Sequence, residues 1–569
     1  MRKVKALADS KMLRLRKFGQ IRRAEKSRLP LSFSRLSLIF GLVLAFGPAR
    51  AVVASATTIT VMSAIDVPFI GGPCDLRQAI DSHNNKKSPF GSGCSTGNGN
   101  DTIVLDPSTI DLGSPLPPIN GTLTIKPANN NVCYNLRQAA YLTVAPGANV
   151  TLQGISVIVN GAEPLSIIDN NGGTLNVNAN GSSGGCNYSN QKGIERKTFF
   201  GGILNNRNNG TTFINAANFI NSAAGDKGGA VYVDSGSVSI QGGTFSGNNA
   251  PNGGAIFVSG PGKLNITSSN FSISNNTASI AGGAINTYGG GVTIQRNPAQ
   301  TLGNVRIAGN SSPMGTAIYD ETANLRIDGV QFLKNGNSTS AGTIRLFDAS
   351  SRFVTASITR SYFNDERVAI YLDDSALTLA GDTFAGDGLP FTFSAAAIQV
   401  AGGSNLDVIN STFLGDSFSI FPQGIAVLNG AANVSFSTIA RSVLRRVSVS
   451  NSLLSDVTCT GVTDGEGNLE QKSKGCPSTI PNEADLGLST ALLQNNGGPT
   501  PTIALVTGSP AIGAIPVGDC LDLSGNPLTL DQRGFGRPGP DGSCSIGAFE
   551  FGAIPVGPGI GGIPPGTSF

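Results

Sequence analysis

Residues 228–258 read GGAVYVDSGSVSIQGGTFSGNNAPNGGAIFV, and the way this stretch repeats itself decides the fold. It opens on a Gly-Gly pair, a small residue and a β-branched run (Gly228-Gly229-Ala230-Val231-Tyr232-Val233). The same unit closes it as Gly253-Gly254-Ala255-Ile256-Phe257-Val258. A third copy is Gly282-Gly283-Ala284-Ile285 and Gly201-Gly202-Ile203 is a weaker one, giving intervals of 27, 25 and 29 residues. A second unit places Phe three residues before Asn or Asp: Phe245–Asn248, Phe332–Asn335, Phe384–Asp387 and Phe413–Asp416. Phe271 and Phe363 stand at related points with altered spacing. Between the units run short alternating segments such as Ser237-Val238-Ser239-Ile240 and Lys263-Leu264-Asn265-Ile266.

Each period therefore holds about three short strands separated by Gly, Asn and Ser turns. Strands this short cannot bury an apolar face alone. Coiling the chain lays each strand parallel to its copy one coil away, and the inward Val, Ile, Leu and Phe stack into a column. Asn suits the corners, because it tolerates left-handed backbone and bonds locally. Stacked Asn side chains can also form a ladder along the axis. A β-sandwich would follow hairpin signals and not this period. The expected fold is all-β: a right-handed parallel β-helix, or β-solenoid.

Composition agrees. At 569 residues the chain exceeds one globular core, while 75 Gly, no Trp and 13% charged residues favour many turns and thin strands. The net charge of +3 conceals a split, because residues 1–51 hold thirteen Lys/Arg and only Asp9 and Glu25 as acids. The remaining body is net acidic and lacks the basic footprint of a nucleic-acid binder.

That basic start runs to Arg35 and is followed by the apolar run Leu36 to Phe46 and by Ala49-Arg50-Ala51 and Ala54-Ser55-Ala56. Basic region, apolar run and A-x-A sites are the parts of a secretory signal peptide, assigned here to residues 1–56. An eleven-residue apolar run is short for a membrane span, which needs about 20. The destination expected is extracellular or the cell surface, with no transmembrane span after the signal.

Eight cysteines follow the signal, four before residue 187 (Cys74, Cys94, Cys133, Cys186) and four after residue 458 (Cys459, Cys476, Cys520, Cys544). An even number in an exported chain suggests disulfides, although eight cysteines allow about 105 pairings. Sequential pairing at the two ends, where a solenoid exposes raw edges, is the expectation. There is no C-x-x-C and His83, placed in an N-terminal polar loop, is the lone histidine, so no metal or other cofactor is expected.

The expected organisation is an N-terminal cap and first coils over 57–190, central repeats over 191–458, an end module over 459–552 and a Pro/Gly-rich tail over 553–569. Residues Asp75 to Asp81, with Leu76, Ala79 and Ile80 on one face, suit a short helix over the open end. The GGA-[IV] and F-x-x-N units, over roughly 200–420, resemble the repeats of chlamydial polymorphic outer-membrane proteins, which are surface adhesins ending in a membrane β-barrel. No run of ten-residue alternating strands for such a barrel is present here. Cys74-Asp75-Leu76-Arg77-Gln78-Ala79 resembles the CSLREA segment of secreted bacterial β-helix proteins, with Asp75 for Ser and Gln78 for Glu. Asn495-Asn496-Gly497-Gly498-Pro499-Thr500, Gly508-Ser509-Pro510-Ala511-Ile512, Asp531-Gln532-Arg533-Gly534 and Cys544-Ser545-Ile546-Gly547-Ala548-Phe549-Glu550 resemble, in that order, the choice-of-anchor Q domain. Gly513 and Ser545 replace its usual acidic residues. The resemblances imply an exported bacterial surface protein.

An enzyme reading needs paired carboxylates on the solenoid wall. Asp365, Glu366, Asp373, Asp374, Asp382 and Asp387 lie on neighbouring coils, with Arg360 and Arg367 near; Asp373, Asp374 and Asp387 are the catalytic candidates. Turn capping and solvated corner positions are the preferred reading of such acids. Asp464-Gly465-Glu466-Gly467-Asn468 lacks the spacing of an EF-hand and reads as a turn. With one histidine, in an N-terminal polar loop, Ser-His-Asp and Cys-His catalysis are not expected. The leading expectation is a monomeric, adhesin-like or structural scaffold meeting surface glycans or matrix, and the alternative is a polysaccharide lyase or glycoside hydrolase.

Overall fold

The computed structural model describes residues 55–66, 72–159, 166–179, 185–190, 200–297, 304–321, 324–336, 342–348, 354–366, 368–386, 396–415, 424–477 and 485–556. The signal segment, Arg367, Asp387, Asp416 and most of the tail lie outside them. Three long sheets of 16, 15 and 13 strands dominate, and every pairing within them is parallel. One coil shows the path: Ser237–Ile240 lies in the first sheet, Gly243–Ser246 in the second and Ile256–Ser259 in the third. The chain then returns to the first sheet as Lys263–Ser268. Register is strictly coil to coil, with Val238 opposite Leu264, Phe245 opposite Ile273 and Val231 opposite Ile256. This is a parallel β-helix, and its coils continue to Leu469–Gln471, past the expected boundary at 458.

Period-two alternation fills the interior. Val238 and Ile240, Leu264 and Ile266, and Val292 and Ile294 point inward from successive strands and are buried. In the second sheet one inward column reads Phe219, Phe245, Ile273, Ile307, Phe332, Phe363, Phe384 and Phe413. From Phe332 to Phe413 the rings stack with centroids 4.7 Å apart, which is the strand spacing itself. Phe271 sits in the adjacent inward column, opposite Gly243 and Val305, because Ile273 takes its place. Phe363 keeps the repeat spacing, with Glu366 standing where other coils carry Asn.

The Asn positions form the ladder expected. Asn248, Asn276 and Asn310 each donate their backbone N–H and their Nδ2–H to the side-chain oxygen one coil on, at 2.9–3.1 Å. The second Nδ2 proton goes back to the preceding coil, to Phe219 O, Phe245 O and Ile273 O. A buried amide thus satisfies the bare backbone of a sharp corner on both sides.

The Gly-Gly pair has a cause not visible in the sequence. In three of these coils the first glycine is left-handed, with φ of 64°, 65° and 65° at Gly228, Gly253 and Gly282. The second is squeezed: a Cβ on Gly229 would lie 2.1 Å from Gly254 O and 2.6 Å from Asn249 N. The squeeze comes from an extra strand in these coils, Asn249–Asn252 paired parallel with Thr277–Ala281 and bridged to Ala223 and Ser311. These coils therefore carry a short fourth side in addition to the three strands expected.

At the N-terminal end a helix spans Leu76–Asn85, four residues longer at its C-terminus than expected, and buries Leu76, Ala79 and Ile80. Asp75 caps it reciprocally with Gln78. His83 is on this helix and fully buried, which corrects the loop placement: Nδ1 is 2.7 Å from Asp101 Oδ2 and Nε2 is 2.5 Å from Asn120 O. The disulfides are Cys74–Cys94, Cys133–Cys186, Cys459–Cys476 and Cys520–Cys544, the sequential set.

The last bond closes a loop inside the C-terminal module, and that module lies along the solenoid's flank. Thr383, Thr412 and Thr438 form an outward column of the second sheet. Gln532 Nε2 turns its two protons to the acceptors Asp382 O, Thr383 Oγ1 and Thr500 Oγ1, all within 3.0 Å, and its Oε1 accepts from Thr412 Oγ1 at 2.5 Å. Ala548 N–H reaches Thr438 Oγ1. Arg533 pairs with Asp531 at 2.7 Å between the rings of Phe535 and Phe549. Arg537, buried over Phe436, pairs with Glu550 at 3.2 Å and donates to the carbonyls of Ser545 and Gly547. The DQRG and CSIGAFE motifs are fasteners of this module.

Candidate functional site: an aromatic and acidic wall on the third sheet

Side chains alternate along each strand of the third sheet, so every second residue faces outward. One outward column carries Tyr232, Phe257, Asn286, Tyr319, Arg345, Tyr371 and Gln399. The column beside it carries Ser259, Tyr288, Glu321, Phe347, Asp373 and Ala401, and Asp234 follows directly on the strand Val231–Val233. A tyrosine followed two residues later by an acid recurs three times, on two strands as Tyr319 and Glu321 and as Tyr371 and Asp373, and at a strand's end as Tyr232 and Asp234.

Two of the couples are bonded. Tyr232 Oη donates to Asp234 Oδ1 at 3.0 Å, and burial followed by this bond pushes its phenol up to about 12. Burial and the neighbouring Glu321 carboxylate do the same for Tyr319, to about 12. Burial raises Glu321 in turn, against the hydrogen bond from Tyr319. Arg345 lies between the last two couples, its guanidinium 5.0 Å from the Tyr371 ring and 5.9 Å from that of Phe347, and 3.3 Å from Asp373 Oδ2. Further along, Lys227 Nζ stands over the rings of Phe200 and Phe257 at 5.6 and 4.9 Å. Tyr288 is 56% exposed at the edge of this surface.

The structure sorts the acids singled out in the sequence into three kinds. Asp365 and Asp374 are exposed corner residues in left-handed backbone, with φ of 62° and 53°, and Asp365 pairs with Lys334 at 3.6 Å. Asp373 alone of the catalytic candidates is seen on the wall. Glu366 and Asp382 are fully buried, which corrects the solvated half of their reading, while both cap corners by accepting a backbone N–H. Asp382 Oδ1 accepts Ser361 N–H at 2.7 Å within a file that continues through Ser411, Ser437, Ser452 and Asn468, and burial holds its carboxyl well above the usual range. Glu366 ends the amide ladder, accepting Asn335 N–H and Nδ2–H and the Thr343 hydroxyl, and burial pushes it up to about 7. Arg360 is held by Asp328, away from the wall. Residues 464–468 form a turn in which Asp464 Oδ1 accepts Glu466 N–H and Asn468 Nδ2–H.

Tyr319, Glu321 and Arg345 were missed by sequence reasoning. The repeated Tyr-x-acid was the available signal. Among the described residues no group of three or more His, Cys, Asp or Glu is placed to hold a metal ion, and no helix is long and apolar enough to cross a membrane. No protein-family model, curated protein or solved structure matches this chain. Tyr232, Phe257 and Tyr319 are buried at 8%, 4% and 7% exposure, so the groups the wall offers for contact are Tyr288, Phe347, Tyr371, Asp373 and Arg345: rings, an acceptor and a fixed cation held on a sheet.

Proposed function

We propose that this chain is an exported, adhesin-like bacterial β-solenoid that binds a neutral glycan on the outward face of its third sheet, without catalysis. The carrying observation is the threefold Tyr-x-acid couple with Arg345 set among its last two copies. Sugar rings pack on aromatic faces, while their hydroxyls donate to carboxylates and accept from a guanidinium. Glu321, Asp373 and Arg345 together are net negative, which favours a neutral chain over a polyuronate. Four disulfides are compatible with an oxidising compartment. The signal-like N-terminus, the CSLREA-like segment and the choice-of-anchor Q-like module support export and surface residence. Binding of the mature protein to a panel of immobilised neutral and acidic polysaccharides tests this. Tyr371→Ala and Arg345→Ala, each still folded by circular dichroism, are expected to weaken binding about tenfold or more, the scale of one lost contact of ~1.4 kcal/mol. Undiminished binding by both variants refutes the site.

One observation favours the enzyme alternative. Glu321 and Asp373 share an outward column two coils apart, which places their Cα atoms about 9.6 Å from each other. Release of reducing ends from any polysaccharide, lost in Asp373→Ala and kept in Asp374→Ala, would establish that reading and displace the non-catalytic one.

A further inference from the structure

Directly beneath the wall lies an acid the contacts above do not use. Asp320 stands between Tyr319 and Glu321 on the strand Ile318–Glu321, and alternation turns it inward while they face out. Its inward column reads Val233, Val258, Thr287, Asp320, Leu346, Leu372 and Val400, so it replaces an aliphatic residue of the core. It has no exposure, and neither carboxyl oxygen has a hydrogen-bond partner. Thr287, its neighbour across one strand, donates its hydroxyl to Gly290 O, and Leu346 across the other has nothing to offer. The charges of the adjoining strands (Glu321 on its own, Arg345 and Asp373 beyond) belong to the outward columns, on the other face of the sheet. Among the described residues no cation faces Asp320 from within the core.

We propose that Asp320 is an alkaline release built under the wall: neutral while protonated, it seats Tyr319 and Glu321, and on losing its proton it opens this coil and lets the saccharide go. A bare carboxylate in a dry interior is among the costliest groups a core can hold, so the strand must admit water once the charge forms. Burial alone raises the carboxyl from 3.8 to about 8. Its folded value lies above its unfolded one, so the stability it permits is complete below about 3.8 and is lost as pH rises through about 8. Opening local to one coil is open to a solenoid because each coil rests only on its neighbours. The ligand-release half of this inference rests on the glycan reading; the opening does not.

Hydrogen exchange at amides 318–321 and 344–347, corrected for intrinsic rates, followed from about pH 6 to 10, tests the opening. Protection in the natural chain is expected to fall about tenfold per pH unit from about pH 6 to roughly 8 and to level off above it, and to be flat in Asp320→Leu, which restores the aliphatic column. Asp320→Asn, uncharged but still polar, is expected to be flat as well. Protection that does not change with pH, or that falls equally in both variants, overturns the switch. Cellohexaose titrated by calorimetry over the same range provides the second arm: affinity that declines as pH rises to about 8 in the natural chain and is kept in Asp320→Leu supports the release. Opening without cellohexaose or other panel-glycan binding at any pH overturns the glycan reading, and leaves the switch supported by exchange alone.

Discussion

Glu366 occupies a place where the preceding coils carry an amide, and a carboxylate in place of that amide changes what the position does. An Asn there spends one proton forward and one backward along the stack, whereas a carboxylate can only accept. Glu366 therefore closes the run of amides, and it collects Asn335 and Thr343 as donors in a site where burial still raises it to about 7. Asp365 beside it adds to the rise, and Lys334 is engaged with Asp365. A raised carboxyl binds its proton more tightly in the folded chain. Its stability contribution is complete below 4.5 and disappears as pH climbs through about 7. Glu366→Gln keeps the acceptor for Asn335 and removes the charge, so its melting temperature should exceed that of the natural chain at pH 8 and match it near pH 5. Thermal melts at the two pH values check this. His83 is a contrasting case, with an acceptor against each ring nitrogen, and serves as a bolt between helix and first coils.

At the scale of elements, the stacked Phe column and the flank-mounted module do different work. Phe363 lies between Phe332 and Phe384, parallel to both within 6°. Phe363→Ala should cost about 3–5 kcal/mol, because neither neighbour can move along the stack to fill the gap. Its effect should concentrate in the adjoining coils, seen as lost amide protection there and not at Val238 or Ile266. The sequence made the glycine pair, the Phe–Asn spacing and the cysteine pairing legible, since each repeats within one coil or closes a loop. It did not make the wall legible. Tyr232, Tyr319 and Tyr371 sit on coils separated by others that carry Phe257, Asn286 and Arg345 at the same point. Only the register, strand against strand, lines them up. Nor could it distinguish Asp365 and Asp374 from Glu366 and Asp382, because one left-handed corner residue decides whether the next acid faces solvent or core.

For the body as a whole, residues 54–569, the governing fact is that contacts are mostly between adjacent coils. Stability then sums over neighbour interfaces, and unfolding should proceed from the ends inward. Cys74–Cys94 and Cys459–Cys476 close loops near those ends, each contributing roughly 3 kcal/mol. Reduction should therefore lower the resistance of the terminal coils to protease before that of 228–296, as timed digestion would record. The one-to-one register has a last consequence. Excising residues 228–252 would remove a complete turn of chain and bring the Gly201 and Gly253 coils into the pairing that each already makes with its present neighbour. The first sheet's sixteen strands span about 72 Å, and such an excision would shorten it by ~4.8 Å while leaving the fold intact. Coil number is in this sense a ruler: gain or loss of whole repeats would set how far apart the two ends of the sheet are held.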